Sequence, residues 1–163
     1  MKLSLSVDTS GANEGDSANI SENPAITEIL EKELEAIYPA SKNFENVEIS
    51  ITFVNSENIR ELNKAYRDID EATDVLSFPM IDDGAVGIPE LPVLALGDIV
   101  ICPEEVKRLH SDLEYNEAIY LMIAHSFLHL LGYDHDTEEK QDLMWKKQDE
   151  IKRKILDALY SEV

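Results

Sequence analysis

Leu3, Leu5 and Val7 alternate with polar residues, and this period of two predicts a strand over 2–7. The next stretch, residues 8–24 (DTSGANEGDSANISENP), breaks the pattern. Rich in Ser, Asn, Gly and acids, it offers almost nothing to bury and reads as a flexible loop. Helical periodicity then takes over across 25–38, where Ile26, Ile29, Leu30, Leu34 and Ile37 share one face. Alternation returns in 47–54, VEISITFV, a half-buried strand. Ser56 is placed to cap a helix running to about Tyr66 with Ile59 and Leu62 inward. A short strand is expected at Val75–Phe78, and Met80–Pro92, with Gly87, Pro89 and Pro92 near its end, reads as a loop. Residues 94–102, LALGDIVIC, have the continuous apolar character of a buried strand, and Pro103 suits the first turn of a helix through about Leu109. Glu114–Leu131 reads as a helix, apolar through its second half and stopped by Gly132. Asp136 with Glu139 resembles a capping box opening a last helix. That helix keeps Met144, Gln148, Ile151, Ile155 and Leu159 on one mostly apolar side, with Trp145 and Met144 packing it down. Four strands and about five helices intermix, which predicts an α+β fold with one small sheet covered by helices.

Composition narrows this picture. A chain of 163 residues, 44% hydrophobic, with no internal repeat, is expected to form one domain over 1–163. No apolar run approaches the roughly 18 residues a membrane helix needs. The opening residues lack the apolar stretch of a signal peptide, and the single cysteine, Cys102, fits a reducing cytoplasm, so a cytoplasmic location is expected. Charge is the unusual feature: 14 Lys and Arg against 34 Asp and Glu give a net −20. Such a chain is repelled by nucleic acid and by anionic membrane, so any nucleic-acid function needs a local basic patch and a metal. Arg60, Lys64 and Arg67 supply a candidate patch, because their spacing sets them along one helix face. The plainer reading is a solvated polar face opposite Ile59 and Leu62. The basic residues Lys146, Lys147, Lys152, Arg153 and Lys154 are interspersed with acids and read as a solvated helix face.

Three of the four histidines fall within eleven residues, HSFLHLLGYDH, as His125, His129 and His135. His125 and His129 are one helical turn apart and leave the same face. Gly132 accepts the left-handed conformation that ends a helix, so the chain turns back and His135 arrives from the side. Three neutral imidazoles describe a zinc site with a free fourth position, the mark of a catalytic metal, one ion per chain. Bound zinc brings the pKa of a coordinated water towards about 7. The spacing equals that of metzincin proteases, but the glutamate they need after the first histidine is here Ser126, which disfavours peptide hydrolysis by that route. His110 lies outside the pattern and reads as a surface helix histidine. Asp134 and Asp136 read either as acceptors for imidazole N–H groups or as turn and cap residues, the cap being the simpler reading for Asp136.

HSFLHLLGYDH resembles the signature of the YbeY family of bacterial endoribonucleases, or rRNA maturation factors. Two further segments match: Asn63-Lys-Ala-Tyr66-Arg67 followed by Thr73-Asp74-Val75-Leu76-Ser77-Phe78-Pro79, and Leu96-Gly97-Asp98-Ile99-Val100-Ile101-Cys102. Together they span residues 63–135. The family usually has glycine where this chain has Ser126. The resemblance implies a single α+β domain with a four-stranded mixed sheet and a central metal-bearing helix, zinc held by His125, His129 and His135, and single-strand-specific RNA cleavage in 16S rRNA 3′-end maturation and ribosome quality control. It implies as partners single-stranded rRNA precursor and the ribosome or small-subunit proteins, with no membrane. It also gives Arg67 and Asp98 the positions of important family residues.

On this reading His125 and Arg67 serve phosphodiester cleavage. A guanidinium suits the charge that grows on the phosphoryl group, and the stripe of Arg60, Lys64 and Arg67 tracks the RNA backbone. Asp98 reads equally as orienting a ligand or water and as satisfying backbone groups at a strand end. Thr73, Asp74 and Ser77 divide evenly between substrate contact and strand-edge hydrogen bonding. Tyr66 and Phe78 are able to stack on bases, with core packing the simpler role for Phe78. Two other classes stay open: a ribosome-associated RNA- or protein-binding factor with a mainly structural metal, which a fourth protein ligand would favour, and a metallohydrolase of peptides or small molecules.

Overall fold

Alternation along β2 (Asn46–Phe53) sends Val47, Ile49, Ile51 and Phe53 to one face, where all four are buried, and leaves Glu48, Ser50 and Thr52 on the other. This strand is central to the fold of the computed structural model, which describes residues 1–81 and 93–160. β1 (Lys2–Asp8) pairs with it in parallel, Leu5 opposite Ile49. On its other side β4 (Val93–Ile101) is also parallel, and β3 (Val75–Pro79) closes the sheet antiparallel to β4, giving the order β1-β2-β4-β3. The sheet is therefore mixed and four-stranded, as expected. The register slips between Glu48 and Ile49, where Leu96 is the extra residue of β4. Gly97 follows at φ +149°, and a Cβ there would lie 2.3 Å from the Phe78 carbonyl oxygen and 2.7 Å from Leu130 Cδ2. Glycine thus lets β3 and the histidine-bearing helix close on the sheet together.

Five helices cover the sheet unequally. α1 (Pro24–Ile37), α4 (Tyr115–Leu130) and α5 (Glu138–Tyr160) pack on the Val47 face, and their Ile26, Leu30, Leu34, Ile123, Phe127, Met144, Ile151 and Ile155 join the main core. α2 (Ser56–Arg67) covers the opposite face of β3 and β4, where Ile59, Leu76, Val100 and Cys102 form a smaller cluster. α3 (Pro103–Leu109) links β4 to α4. α4 is the central helix, with ten of its sixteen residues buried.

Several local expectations are corrected. The segment 8–24 was expected to have almost nothing to bury, yet Ala18 and Ile20 are in the main core and Asp16 is 8% exposed. Its polar groups are used by distant helices: Lys107 pairs with the Asp16 carboxylate at 2.9 Å, the Tyr115 hydroxyl donates to the Asp16 carbonyl, and the Tyr120 hydroxyl donates to the Ala18 carbonyl at 3.0 Å. The cap of α2 is Asn55, not Ser56; its side-chain oxygen accepts from the Asn58 amide at 2.8 Å. Such a cap contributes about 1 kcal/mol. α5 is capped by Thr137, whose Oγ1 accepts from the Lys140 amide at 3.2 Å, while Asp136 forms an exposed ion pair with Lys140. Trp145 is 44% exposed and stands outside the buried core, whereas Met144 is fully buried. The basic face of α5 is not wholly solvated: Lys147 and Lys154 converge on the buried carboxylate of Glu33 at 2.9 and 2.6 Å, and Lys152 pairs with Glu117. The loop expected over Met80–Pro92 falls, from residue 82 onward, outside the described residues.

Candidate metal centre

The last turn of α4 sets the geometry. Gly132 at φ +95° ends the helix, its amide donating to the His129 carbonyl at 3.0 Å and the Tyr133 amide to the Leu128 carbonyl at 3.0 Å. This pair of bonds is a Schellman motif, and it turns the chain back over the helix face that carries His125 and His129. The Asp134 carboxylate then accepts from the His135 amide at 2.7 Å, making Asp134 a turn residue. One ligand nitrogen from each of His125, His129 and His135 lies within 4.8 Å of the others.

The pairwise geometry fits a metal. His125 Nε2 and His129 Nε2 are 3.1 Å apart. Two nitrogens bound to a tetrahedral zinc at 2.0–2.1 Å sit about 3.3 Å from each other. The tautomer of His125 is fixed from behind: its Nδ1–H donates to Gln148 Oε1 of α5 at 2.9 Å, which leaves Nε2 unprotonated towards the other rings. Burial pushes the His125 pKa below its ordinary value, against the raising effects of the Gln148 bond and the Asp74 charge. Burial also lowers the His129 pKa, with the neighbouring His125 and His135 acting in the same direction. Both rings are thus held neutral, the form that binds a metal.

Arg67 reaches this centre from the other side of the sheet. It is the last residue of α2, and the chain leaves the helix through Asp68 at φ +58°. The Arg67 Nη2 donates to the Ser77 carbonyl at 2.8 Å, and the guanidinium carbon lies 5.3 Å from the centre of the Phe78 ring. These contacts carry it past edge strand β3 into a groove of about 340 Å³ shared with Val75, Leu76, Ser77, Pro79 and the three histidines. A larger cavity of about 730 Å³ lies between α2 and α3, where Arg60 pairs with Asp70 at 2.8 Å and Arg108 with Glu105 at 2.6 Å. Both of its arginines are paired within the protein, Glu57 and Glu71 add negative charge, and it contains none of the histidines.

Not every expected residue converges. The α2 stripe is broken: Arg67 lines the histidine groove, Arg60 is held by Asp70, whose pKa the bond lowers, and Lys64 is exposed. Asp98 stands in register between Ser50 and Phe78, on the strand face of Val100 and Cys102, whereas Ile99 and Ile101 face the main core with α4. The sheet separates its side chain from the histidines. Ser126 is fully buried, with its hydroxyl unpartnered in the core rather than turned to the groove. Cys102 is buried away from the histidine cluster, among the residues under α2.

Three residues had escaped a functional reading. Gln148 looked like one more position on an apolar helix side, and only folding reveals its bond to His125. Asn63 is buried on α2 and donates to the Glu71 carbonyl at 2.9 Å, fixing the loop between α2 and β3. His110 is not a surface histidine: its Nε2 lies 2.8 Å from Asp74 Oδ2, both side chains about one-fifth exposed. The other oxygen of Asp74 accepts from the Val75 amide and the Thr73 hydroxyl, so the carboxylate anchors the start of β3.

Comparison with known proteins agrees with this arrangement. The family model described as Endoribonuclease YbeY matches residues 11–156. The Endoribonuclease YbeY of Thermoanaerobacter sp. (strain X514) is 40% identical over 141 residues, covering 80% of this chain and 87% of that protein. That of Clostridioides difficile (strain 630) is 43% identical over 115 residues, covering 68% and 73%. The solution structure of TM1509 from Thermotoga maritima superposes with a TM-score of 0.55 at 25% identity, over 97% of this chain and 93% of that one. The matched span includes the strand, the arginine and all three histidines that build the groove, and on this evidence the chain belongs to the YbeY endoribonuclease family.

Proposed function

We propose that this protein is a zinc-dependent endoribonuclease that cuts single-stranded RNA, acting in 16S rRNA 3′-end maturation and ribosome quality control in the cytoplasm. The observation that carries the reading is the convergence of three imidazole nitrogens and one guanidinium in a single groove. His125, His129 and His135 would hold one ion through neutral nitrogens, in an arrangement akin to that of metzincins. When bound, the ion supplies a Lewis acid and a water acidified enough to attack phosphorus near neutral pH.

The chain's own residues do the rest. Gln148 keeps the His125 proton on Nδ1 and its lone pair towards the ion. Arg67 spends one N–H on Ser77 and rests against Phe78, so the guanidinium is oriented before substrate arrives and its other N–H groups are available to the phosphoryl oxygens. Lys64, exposed on the same helix, adds charge along the approach. Asp98 has no part in this mechanism, being on the far face of the sheet, and Arg60 contributes little while held by Asp70.

The other two classes are less well supported. A structural metal calls for a fourth protein ligand, and among the described residues the cluster has three. Peptide hydrolysis needs a base where Ser126 points into the core.

The test is a metal-controlled cleavage assay on single-stranded and duplex RNA, comparing wild type with His125→Ala and Arg67→Ala after metal content and folding are verified. Single-strand cleavage that is lost in His125→Ala and falls at least about a hundredfold in Arg67→Ala supports the reading, since removing one charge-stabilising donor costs about 10²–10³ in rate. Equal cleavage by all three proteins identifies a contaminating ribonuclease and moves the binding-factor reading ahead.

A further inference from the structure

Tyr66 is 64% exposed, yet its ring is not free. It meets Phe78 edge to face, the ring centres 5.4 Å apart and the planes at 72°. Phe78 in turn lies against the Arg67 guanidinium at 5.3 Å, and Arg67 is fixed to Ser77 and lines the histidine groove. An open aromatic surface is therefore tied through two directional contacts to the cation beside the metal centre. A single exposed tyrosine needs no explanation by itself. One that is braced by a half-buried phenylalanine, itself against the arginine that lines the histidine groove, has the composition of a single-strand binding site, where a cation follows the backbone and an aromatic ring receives a base.

We propose that Tyr66, braced by Phe78, is a nucleobase-stacking subsite that seats an unpaired base next to the phosphate held at Arg67. The inference rests on the endoribonuclease reading above. It supplies a physical origin for single-strand preference: every base has a π-face, but in a duplex both faces are already occupied by neighbouring bases. The subsite therefore selects unpaired RNA without reading its sequence. Stacking needs the ring and not the hydroxyl, so Tyr66→Phe retains it, whereas Tyr66→Leu keeps apolar bulk against Phe78 and abolishes the π-face.

The experiment uses the full-length, metal-loaded protein and short single-stranded RNAs carrying 2-aminopurine at successive positions, mixed by stopped flow so that binding is read before cleavage. Circular dichroism verifies the fold of each variant. Wild type and Tyr66→Phe are expected to quench the fluorescence at one position. Tyr66→Leu is expected to lose that quenching, to bind single strands roughly tenfold more weakly, and to leave duplex binding unchanged. Quenching and affinity that survive in Tyr66→Leu, in a protein that still cleaves single strands, overturn the subsite and leave the endoribonuclease reading standing. A wild-type protein that neither binds nor cleaves single strands overturns both.

Discussion

α5 serves two polar clusters, and they are built on opposite principles. Towards α1 it sends Lys147 and Lys154 to the buried carboxylate of Glu33, 2.9 and 2.6 Å away. Here acid and base meet within the protein and the cluster is closed. Towards α4 it sends Gln148 to His125, and the three imidazoles beyond converge on one another with, among the described residues, no carboxylate in the cluster. That cluster is open: one nitrogen from each ring lies within 4.8 Å of the others, an arrangement that could hold a cation. Buried polar groups are costly to leave without a partner, so the difference separates a cluster satisfied within the fold from one with the composition to take up a cation.

Breaking the open cluster has the largest expected effect. His129→Ala removes one of three ligands, and metal affinity should fall by more than the roughly 10–100-fold that loss of a supporting residue causes, read by competition with a chelating dye. The melting temperature of the metal-free protein should change little. A large drop in that temperature would place His129 among the groups that hold the fold.

Breaking the closed cluster reverses the pattern. Glu33→Gln leaves the two ammonium groups only the more distant carboxylate of Glu150, 3.7 Å from Lys147 and 3.4 Å from Lys154, and stability should fall by about 2–3 kcal/mol because both lysines also retain some water. The metal site should still load. The pH dependence has a definite sign. Burial alone would raise the Glu33 pKa, but Lys147 and Lys154 together hold it below its ordinary 4.5. The clamp is therefore at full strength above pH 4.5 and is lost as pH falls through the lowered value. Denaturant titrations at pH 7 and in the acid range, on wild type and Glu33→Gln, should converge as the pH drops.

Gln148→Leu sharpens the comparison, since it removes the brace of the open cluster without touching a ligand. Metal affinity should fall about 10–100-fold while stability changes far less than in Glu33→Gln. The smallest effect belongs to a site that is neither open nor closed. Ser126 buries a hydroxyl that finds no partner, and Ser126→Ala should raise stability by about 1 kcal/mol with metal binding unchanged. A stability loss would mean that the hydroxyl is bonded after all.

The same contrast explains how much was legible in the sequence. Among the described residues, alternation, helical spacing and Pro103 located the four strands and five α-helices, because alternation and helical spacing are local consequences of burying one face, but not the 3-10 turns at Ile20–Glu22 and Pro39–Asn43. The clustering of the three histidines was legible because one helix and one tight turn carry them all, and Gly132 announces the turn. Gln148 was not, since its meaning depends on α5 crossing α4 twenty-three positions later in the chain. His110 and Asp74 are 36 positions apart, and either alone looks like a surface residue. The burial of Ala18 and Ile20 was hidden by their polar neighbours, whose hydrogen bonds are supplied by tyrosines about one hundred positions away. Asn55 and Ser56 are adjacent and both competent to cap, so only the backbone decides between them. The motif alone left the side of Asp98 open: alternation turns it to the opposite side of the sheet from its core-facing neighbours Ile99 and Ile101.

β3 has a strand partner on one side only among the described residues, so its outward carbonyls and amides form the kind of exposed border on which sheets from separate molecules join. The Arg67 guanidinium sits on one of those carbonyls, that of Ser77. Replacing Arg67 therefore does more than delete a charge from the groove: it uncovers a pairing edge, and the Arg67→Ala protein should have a greater tendency to self-associate, with light scattering rising with concentration where the wild type stays dispersed.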